Sequence, residues 1–191
     1  MYNAKKVTQL LGFELTPAEI GCFLSHRKAW EECVKSNTVT IVFEDDFILK
    51  PHFQESVDLL LTQYIDWDIA RLQGLREALH QKVKSFAQCE VVLNREDPLG
   101  ATAYLLKPLA AKKLLECSAQ IFEPLDHFIE HRKIHGLRII ALKPYPVVAH
   151  NLPTTITGRP ARPPVSGFKK IARSFARWVD RRNNPYPWFP K

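Results

Sequence analysis

Three consecutive carboxylates, Glu44, Asp45 and Asp46, follow directly on the apolar run VTIVF at residues 39–43. Three adjacent negative charges repel one another unless a cation neutralises them. A hard divalent ion such as Mn²⁺ or Mg²⁺, itself bridging phosphate oxygens, suits an all-oxygen donor set. Side chains alternate along an extended segment, so Glu44 and Asp46 are expected on one side and Asp45 on the other. The ordinary alternative is a solvated acidic turn, common after strands. The position at the C-terminal end of a buried strand favours the metal, because ligands of open α/β sheets bind at that edge.

An acidic run after an apolar strand also suits the Mg²⁺ site of a receiver domain, but the phosphoacceptor is missing. The next aspartates, Asp66 and Asp68, come too early and precede their strand. His127, His131 and His135 recur at four-residue spacing, which one helical face could turn toward a metal. They lack a carboxylate partner at a matching position and read as a solvated face.

The elements that must position the carboxylates are legible around them. Thr16, Pro17 and Glu19 give a cap, a first-turn proline and a capping box. The helix they start carries Ile20, Phe23, Leu24, Ala29, Trp30 and Val34 at helical spacing and ends near Ser36 and Asn37. The β-branched run 39–43 reads as a buried central strand. Pro51 opens a second helix through about Tyr64, and residues 68–72 form a strand. Residues 75–98 are polar and ambiguous, with a short strand at 90–93. Residues 100–107 read as a strand, followed by a helix from Pro108 through Cys117. A further helix runs from Pro124 to Gly136, and a last strand occupies 137–142. Strands alternating with helices predict a layered α/β domain over residues 1–152.

Composition excludes several classes. The chain has 191 residues, enough for one substantial core. No stretch approaches the roughly 20 apolar residues of a membrane span, and no secretion signal opens the chain. Cys22, Cys33, Cys89 and Cys117 lie far apart, which reads as free thiols in a reducing, cytoplasmic setting. The net charge of +7 divides unevenly: residues 158–191 carry nine Lys/Arg and Asp180 as their one acid, leaving the remainder at −1. A nucleic-acid binder would not concentrate its excess this way. Residues 153–191 form a basic, proline-rich tail. Within 166–182, Phe168, Ile171, Phe175, Trp178 and Val179 fall on one stripe, with Lys169, Lys170, Arg173, Arg177, Arg181 and Arg182 around it. That is the pattern of an amphipathic helix lying on an anionic membrane surface.

Four segments in order resemble glycosyltransferase family 25, the bacterial lipooligosaccharide and β-1,4-galactosyltransferase-like enzymes together with the collagen galactosyltransferases. They are LTPAEIGCFLSHRKAW (15–30), VTIVFEDDFIL (39–49), GATAYLLKPLAAKKLL (100–115) and EPLDHFIEH (123–131). The resemblance implies a GT-A-like fold, a UDP-sugar donor and transfer of a hexose, usually galactose, with inversion to a lipid-linked oligosaccharide acceptor. It also implies that Glu44, Asp45 and Asp46 hold Mn²⁺ or Mg²⁺ on the donor diphosphate, with His150 as a further ligand. Inversion needs a carboxylate base, for which Asp126 is the candidate; a plain acid in a helix's first turn is the alternative. Ser25 and His26 lie in the helix signature and could contact donor or acceptor, or simply pack. Arg71 and Gln73 could face the donor sugar, with Thr102 and Tyr104 near the same cleft.

The resemblance further implies a first strand and an arginine-containing loop ahead of residue 15, whereas this chain begins almost at the signature helix. The expectation is an N-terminally truncated sheet with an exposed apolar edge, reduced stability or pairing into a homodimer, and doubt over activity that leaves an inactive relic or partner subunit as the second reading. The basic tail would hold the enzyme peripherally on the cytoplasmic face of the inner membrane, beside its acceptor.

Overall fold

The structure, a computed structural model, describes residues 1–150; the basic tail and its expected helix at 166–182 lie outside the described residues. Helix α1 (Ala4–Leu11) and helix α2 (Pro17–Ser36) lead into strand β1 (Thr40–Phe43). Strand β2 (Phe47–Leu49), α3 (Phe53–Thr62), β3 (Ile69–Arg71), β4 (His80–Ser85) and β5 (Glu90–Asn94) follow. Then come β6 (Ala103–Leu106), α4 (Pro108–Cys117), α5 (Leu125–Glu130), α6 (Arg132–His135), β7 (Ile139–Lys143) and β8 (Val147–Ala149).

Six strands form one sheet in the order β1-β6-β3-β7-β5-β4, and β2 pairs with β8 in a separate two-stranded ribbon. The sheet is mixed. β3 and β7 are parallel, while β6 runs antiparallel to both β1 and β3, and β5 to β7. The two core clusters follow the pleat. Ile69, Tyr104, Leu106 and Ile139 pack with Phe23, Trp30, Leu114 and Phe128 from α2, α4 and α5. Ala70, Ala103, Leu105 and Ile140 face the other way, onto Val57 and Leu60 of α3. Period-2 alternation thus yields an α/β layered domain with the thicker helical layer on the α2 side.

Helix α2 follows its sequence closely. Thr16 Oγ1 accepts the Glu19 amide, and the Glu19 carboxylate accepts the Thr16 amide, closing the capping box. Asn37 in the left-handed region (φ 51°) ends the helix. Phe23, His26, Trp30 and Cys33 are buried, while Leu24 points outward.

Several expectations are corrected. β1 is not central: among the described residues β6 is its one neighbour, and Val42 alone of its residues is buried. An apolar strand can lie at an edge when the helix beside it covers one face. The helix expected over 124–136 breaks at His131, whose ψ of 63° is non-helical. His127 is exposed, His131 pairs with Glu123 at 2.9 Å, and His135 is buried, so the three histidines share no solvated face. α1, β2, β4 and β8 were not expected. α1 is held by Asn3, whose side chain accepts the Lys6 amide, by fully buried Val7, and by Gly12 at φ 85°.

Candidate active site

The β1–β6 register decides where the first carboxylate goes. Val42 stands opposite Tyr104 and Phe43 opposite Ala103, and the Glu44 amide donates to the Thr102 carbonyl at 2.9 Å. Two-residue periodicity therefore turns Val42 and Glu44 toward α2, on the side of Thr102 and Tyr104. There Glu44 meets three donors. His26 Nε2 lies 3.3 Å and Cys22 Sγ 3.5 Å from Oε1, and the Thr102 hydroxyl lies 3.3 Å from Oε2. Cys22 and His26 are four residues apart, so one face of α2 presents both.

A buried chain of polar groups stands behind His26. Trp30 Nε1 donates to the Tyr104 oxygen at 2.8 Å, and Tyr104 lies 2.9 Å from His26 Nδ1. An indole N–H only donates, so the phenol oxygen accepts it and the phenol proton is directed to His26 Nδ1. That places the imidazole proton on Nε2, aimed at Glu44. Burial alone would raise the Glu44 carboxyl, but hydrogen bonds from His26, then Cys22 and Thr102, bring it below its ordinary value. Burial, reinforced by the charges of Glu44, Asp126 and Asp45, pushes the Cys22 thiol up to about 12.

The chain turns at Asp45 and Asp46. Asp45 is exposed. Asp46 is half-buried, and burial first, then the Glu44 and Asp45 charges, raise its carboxyl above the usual range. Its Oδ1 is buried without a hydrogen-bond partner among the described residues. The β2–β8 ribbon brings the end of the described chain back here, where the His150 amide donates to the Asp46 carbonyl at 2.6 Å. His150 itself is exposed at the rim.

Asp126 sits in the first turn of α5. Its Oδ1 accepts the His127 amide at 2.9 Å, and its Oδ2 lies 3.4 Å from the Gly100 amide. Gly100 has φ +78°, and a Cβ there would stand 2.8 Å from Gln73 Oε1, so the backbone and the Gln73 amide pack without room for a side chain. Gln73 is 2% exposed and its Oε1 has no partner among the described residues.

The remaining expected residues lie elsewhere. Arg71 is 1% exposed. Its Nε donates to the Gln73 carbonyl, Nη1 to Glu130 at 2.7 Å, and Nη2 to the carbonyls of Leu99 and Gly100. A guanidinium so committed fastens the 99–100 loop to α5 and does not reach a sugar. Ser25 is exposed, and its hydroxyl turns back to the Gly21 carbonyl at 3.1 Å. Cys22, Trp30 and Glu130 carry weight that the sequence reading did not assign; the four-residue spacing of Cys22 and His26 in the helix signature was the available signal.

A strand-end carboxylate cluster backed by a helix and a hydroxyl-bearing strand is an architecture suited to a phosphate-linked donor, and the comparisons place the chain in a matching class. The profile of Glycosyltransferase family 25 (LPS biosynthesis protein) covers residues 1–129, and the chain belongs to that family. It is 31% identical to Procollagen galactosyltransferase 1-A of Xenopus laevis over 124 residues, 62% of this chain and 20% of the relative. It is 41% identical to Inactive glycosyltransferase 25 family member 3 of Mus musculus over 124 residues, 62% of this chain and 21% of the relative. It is 31% identical to Glycosyltransferase 25 family member of Aedes aegypti over 120 residues, 60% of this chain and 20% of the relative. The chain spans about a fifth of the length of these curated relatives.

Proposed function

We propose that this chain is a GT-A-like, metal-dependent, inverting hexosyltransferase that moves galactose from a UDP-sugar to a lipooligosaccharide acceptor. The observation that carries the reading is Asp46: a carboxylate oxygen buried without a hydrogen-bond partner among the described residues, in a turn beside two further carboxylates. A buried carboxylate oxygen without a partner is unfavourable unless a cation meets it. The oxygen donors of Glu44, Asp45 and Asp46 suit Mn²⁺ or Mg²⁺ by type, although the turn must draw them together, since among the described residues the converging set at this place is Cys22, His26 and Glu44. His150, tied to the same turn through its amide, stands within the same rim. When bound, such an ion neutralises charge developing on the departing nucleoside diphosphate.

The chain's own residues supply the rest. The Trp30–Tyr104–His26 chain orients Glu44 and keeps it ionised, so the cluster is set before donor arrives. Thr102 lies between the Glu44 and Asp46 carboxylates. Gln73, buried with an Oε1 that has no partner among the described residues, would have to turn outward to meet a sugar hydroxyl. Asp126, fixed by the His127 and Gly100 amides, takes the proton of the acceptor hydroxyl as general base.

Calorimetry with UDP-galactose and Mn²⁺ tests this. Binding is expected in the native chain, to fall by at least about 100-fold in Asp46→Ala, of the order of losing one buried charge-assisted contact. A folded native chain that binds no nucleotide sugar with metal present sinks the reading. A second reading, a non-catalytic member of the fold, is favoured by the 41% identity to a relative named inactive. Donor binding without hydrolysis or transfer would select it.

A further inference from the structure

Sharing Glu44 with the three carboxylates is a second set of metal-ligating atoms of different character. Cys22 Sγ, His26 Nε2 and Glu44 Oε1 lie within 4.8 Å of one another. The geometry points to a site for a borderline-soft transition metal of the Zn²⁺ class, held by Cys22, His26 and Glu44 and tying α2 to the end of β1.

The distances carry the argument. Bond lengths of about 2.3 Å to sulfur and 2.0–2.1 Å to nitrogen and oxygen, at tetrahedral angles, require edges of about 3.3 Å for N···O and about 3.5 Å for S···O. The structure has 3.3 Å from His26 Nε2 to Glu44 Oε1 and 3.5 Å from Cys22 Sγ to the same oxygen. A direct imidazole–carboxylate hydrogen bond is shorter, about 2.7–2.9 Å when charge-assisted. The separations now bridged by the imidazole and thiol hydrogen bonds to Glu44 are also those that a shared ion would require. The third edge, sulfur to nitrogen, lies within 4.8 Å.

The supporting residues fit as well. Cys22 and His26 project from one face of a capped 20-residue helix, a rigid base for two ligands. Tyr104 stands behind His26 Nδ1, the outer-shell partner that ligating histidines ordinarily have. On binding, the Cys22 thiol proton leaves to solvent, and the imidazole proton moves from Nε2 to Nδ1 by exchange with solvent. There the Tyr104 hydroxyl turns its own proton off Nδ1, so that its oxygen accepts from the imidazole as well as from Trp30. One thiolate, one carboxylate and one neutral imidazole balance the double charge of the ion, and three protein ligands leave a fourth position open. The thiolate and imidazole select this ion class, whereas Asp45 and Asp46 offer only hard oxygen.

The test uses the full chain, reduced, with Co²⁺ as a spectroscopic stand-in for Zn²⁺. One equivalent is expected to produce a thiolate-to-cobalt charge-transfer band, erased by Zn²⁺ and retained in excess Mn²⁺. Cys22→Ser and Cys22→Ala are expected to lack the band while keeping the native circular dichroism spectrum, since Cys22 is only half-buried. His26→Gln is expected to weaken Co²⁺ binding by more than about 10-fold. Stoichiometric Zn²⁺ should raise the Tm of the native chain and leave that of Cys22→Ser unchanged. Absence of the band in the folded native chain overturns the assignment, as does a band that survives Cys22→Ser and so comes from another thiol. Asp46→Ala keeps the band if the ligands are those named, even as donor binding is lost. Glu44 is common to both sets, so Cys22→Ser and Asp46→Ala, each belonging to one set alone, are the variants that tell the two sites apart.

Discussion

What a histidine does depends on what its two ring nitrogens meet, and three histidines of this chain meet different things. His26 joins Tyr104 to Glu44, His131 faces Glu123, and His135 is enclosed by backbone. The His135 ring donates from Nε2 to the Ile129 carbonyl at 3.1 Å, and its Nδ1 accepts the Leu137 amide at 3.1 Å. Both nitrogens are satisfied only in the neutral form; a proton on Nδ1 would oppose the amide. Burial is the main cause lowering its pKa from 6.5 to about 4. Between those values the unfolded chain binds a proton that the folded chain does not. Stability therefore falls as pH drops from about 6.5 to about 4 and levels off below, by on the order of 3 kcal/mol for this 3%-exposed group. Urea melts across that range should show the dependence, and His135→Leu should flatten it. An equal slope in the variant would assign the effect to the carboxylates instead.

At the scale of elements, what the sequence made legible was whatever carried its own local chemistry. Thr16, Pro17, Glu19 and Asn37 specify both ends of α2 without help from the rest of the fold. The carboxylate position after VTIVF was equally plain, because strand, turn and charge are contiguous. What escaped was set by distant partners. β4 carries five exposed residues and is a strand because it pairs with β5. β2 is exposed throughout and exists through β8. The break between α5 and α6 has no proline or glycine at His131 to announce it; Glu130 and Arg132 turn inward there instead. Glu130 is 1% exposed and receives Arg71 at 2.7 Å and Arg132 at 2.9 Å. Removing one partner of a buried pair leaves charge uncompensated, so Glu130→Ala should destabilise by roughly 3–5 kcal/mol. It should also loosen the 99–100 loop that Arg71 fastens. Chemical denaturation gives the first effect, and amide exchange at Leu99 and Gly100 the second. A loss below about 1 kcal/mol, in the range of an exposed pair, would show that the network is wet and that Arg71 does not need it.

At the scale of the molecule, charge divides unevenly along the chain. Residues 1–157 carry a net charge of −1, and the excess of +8 lies in residues 158–191. The described residues end at His150, whose amide is bonded to the Asp46 carbonyl beside the candidate donor site. No helix among the described residues is long and apolar enough to cross a membrane. The tail's charge offers one route by which the chain would attach to an anionic surface. Each Lys or Arg near an anionic surface contributes about 1 kcal/mol, and the attraction is screened within a Debye length of about 8 Å at physiological salt. The expected outcome is retention of the full chain on phosphatidylglycerol vesicles at low salt and release as salt rises toward 0.5 M, with no retention on neutral phosphatidylcholine vesicles. Neutralising Lys169, Lys170, Arg173 and Arg177 to Gln should abolish retention and leave UDP-galactose affinity unchanged, because none of them belongs to the carboxylate site. Equal retention on both vesicle types would assign attachment to the apolar stripe of Phe168, Ile171, Phe175 and Trp178. A lower donor affinity in the neutralised variant would instead mean that the basic segment contributes to donor binding.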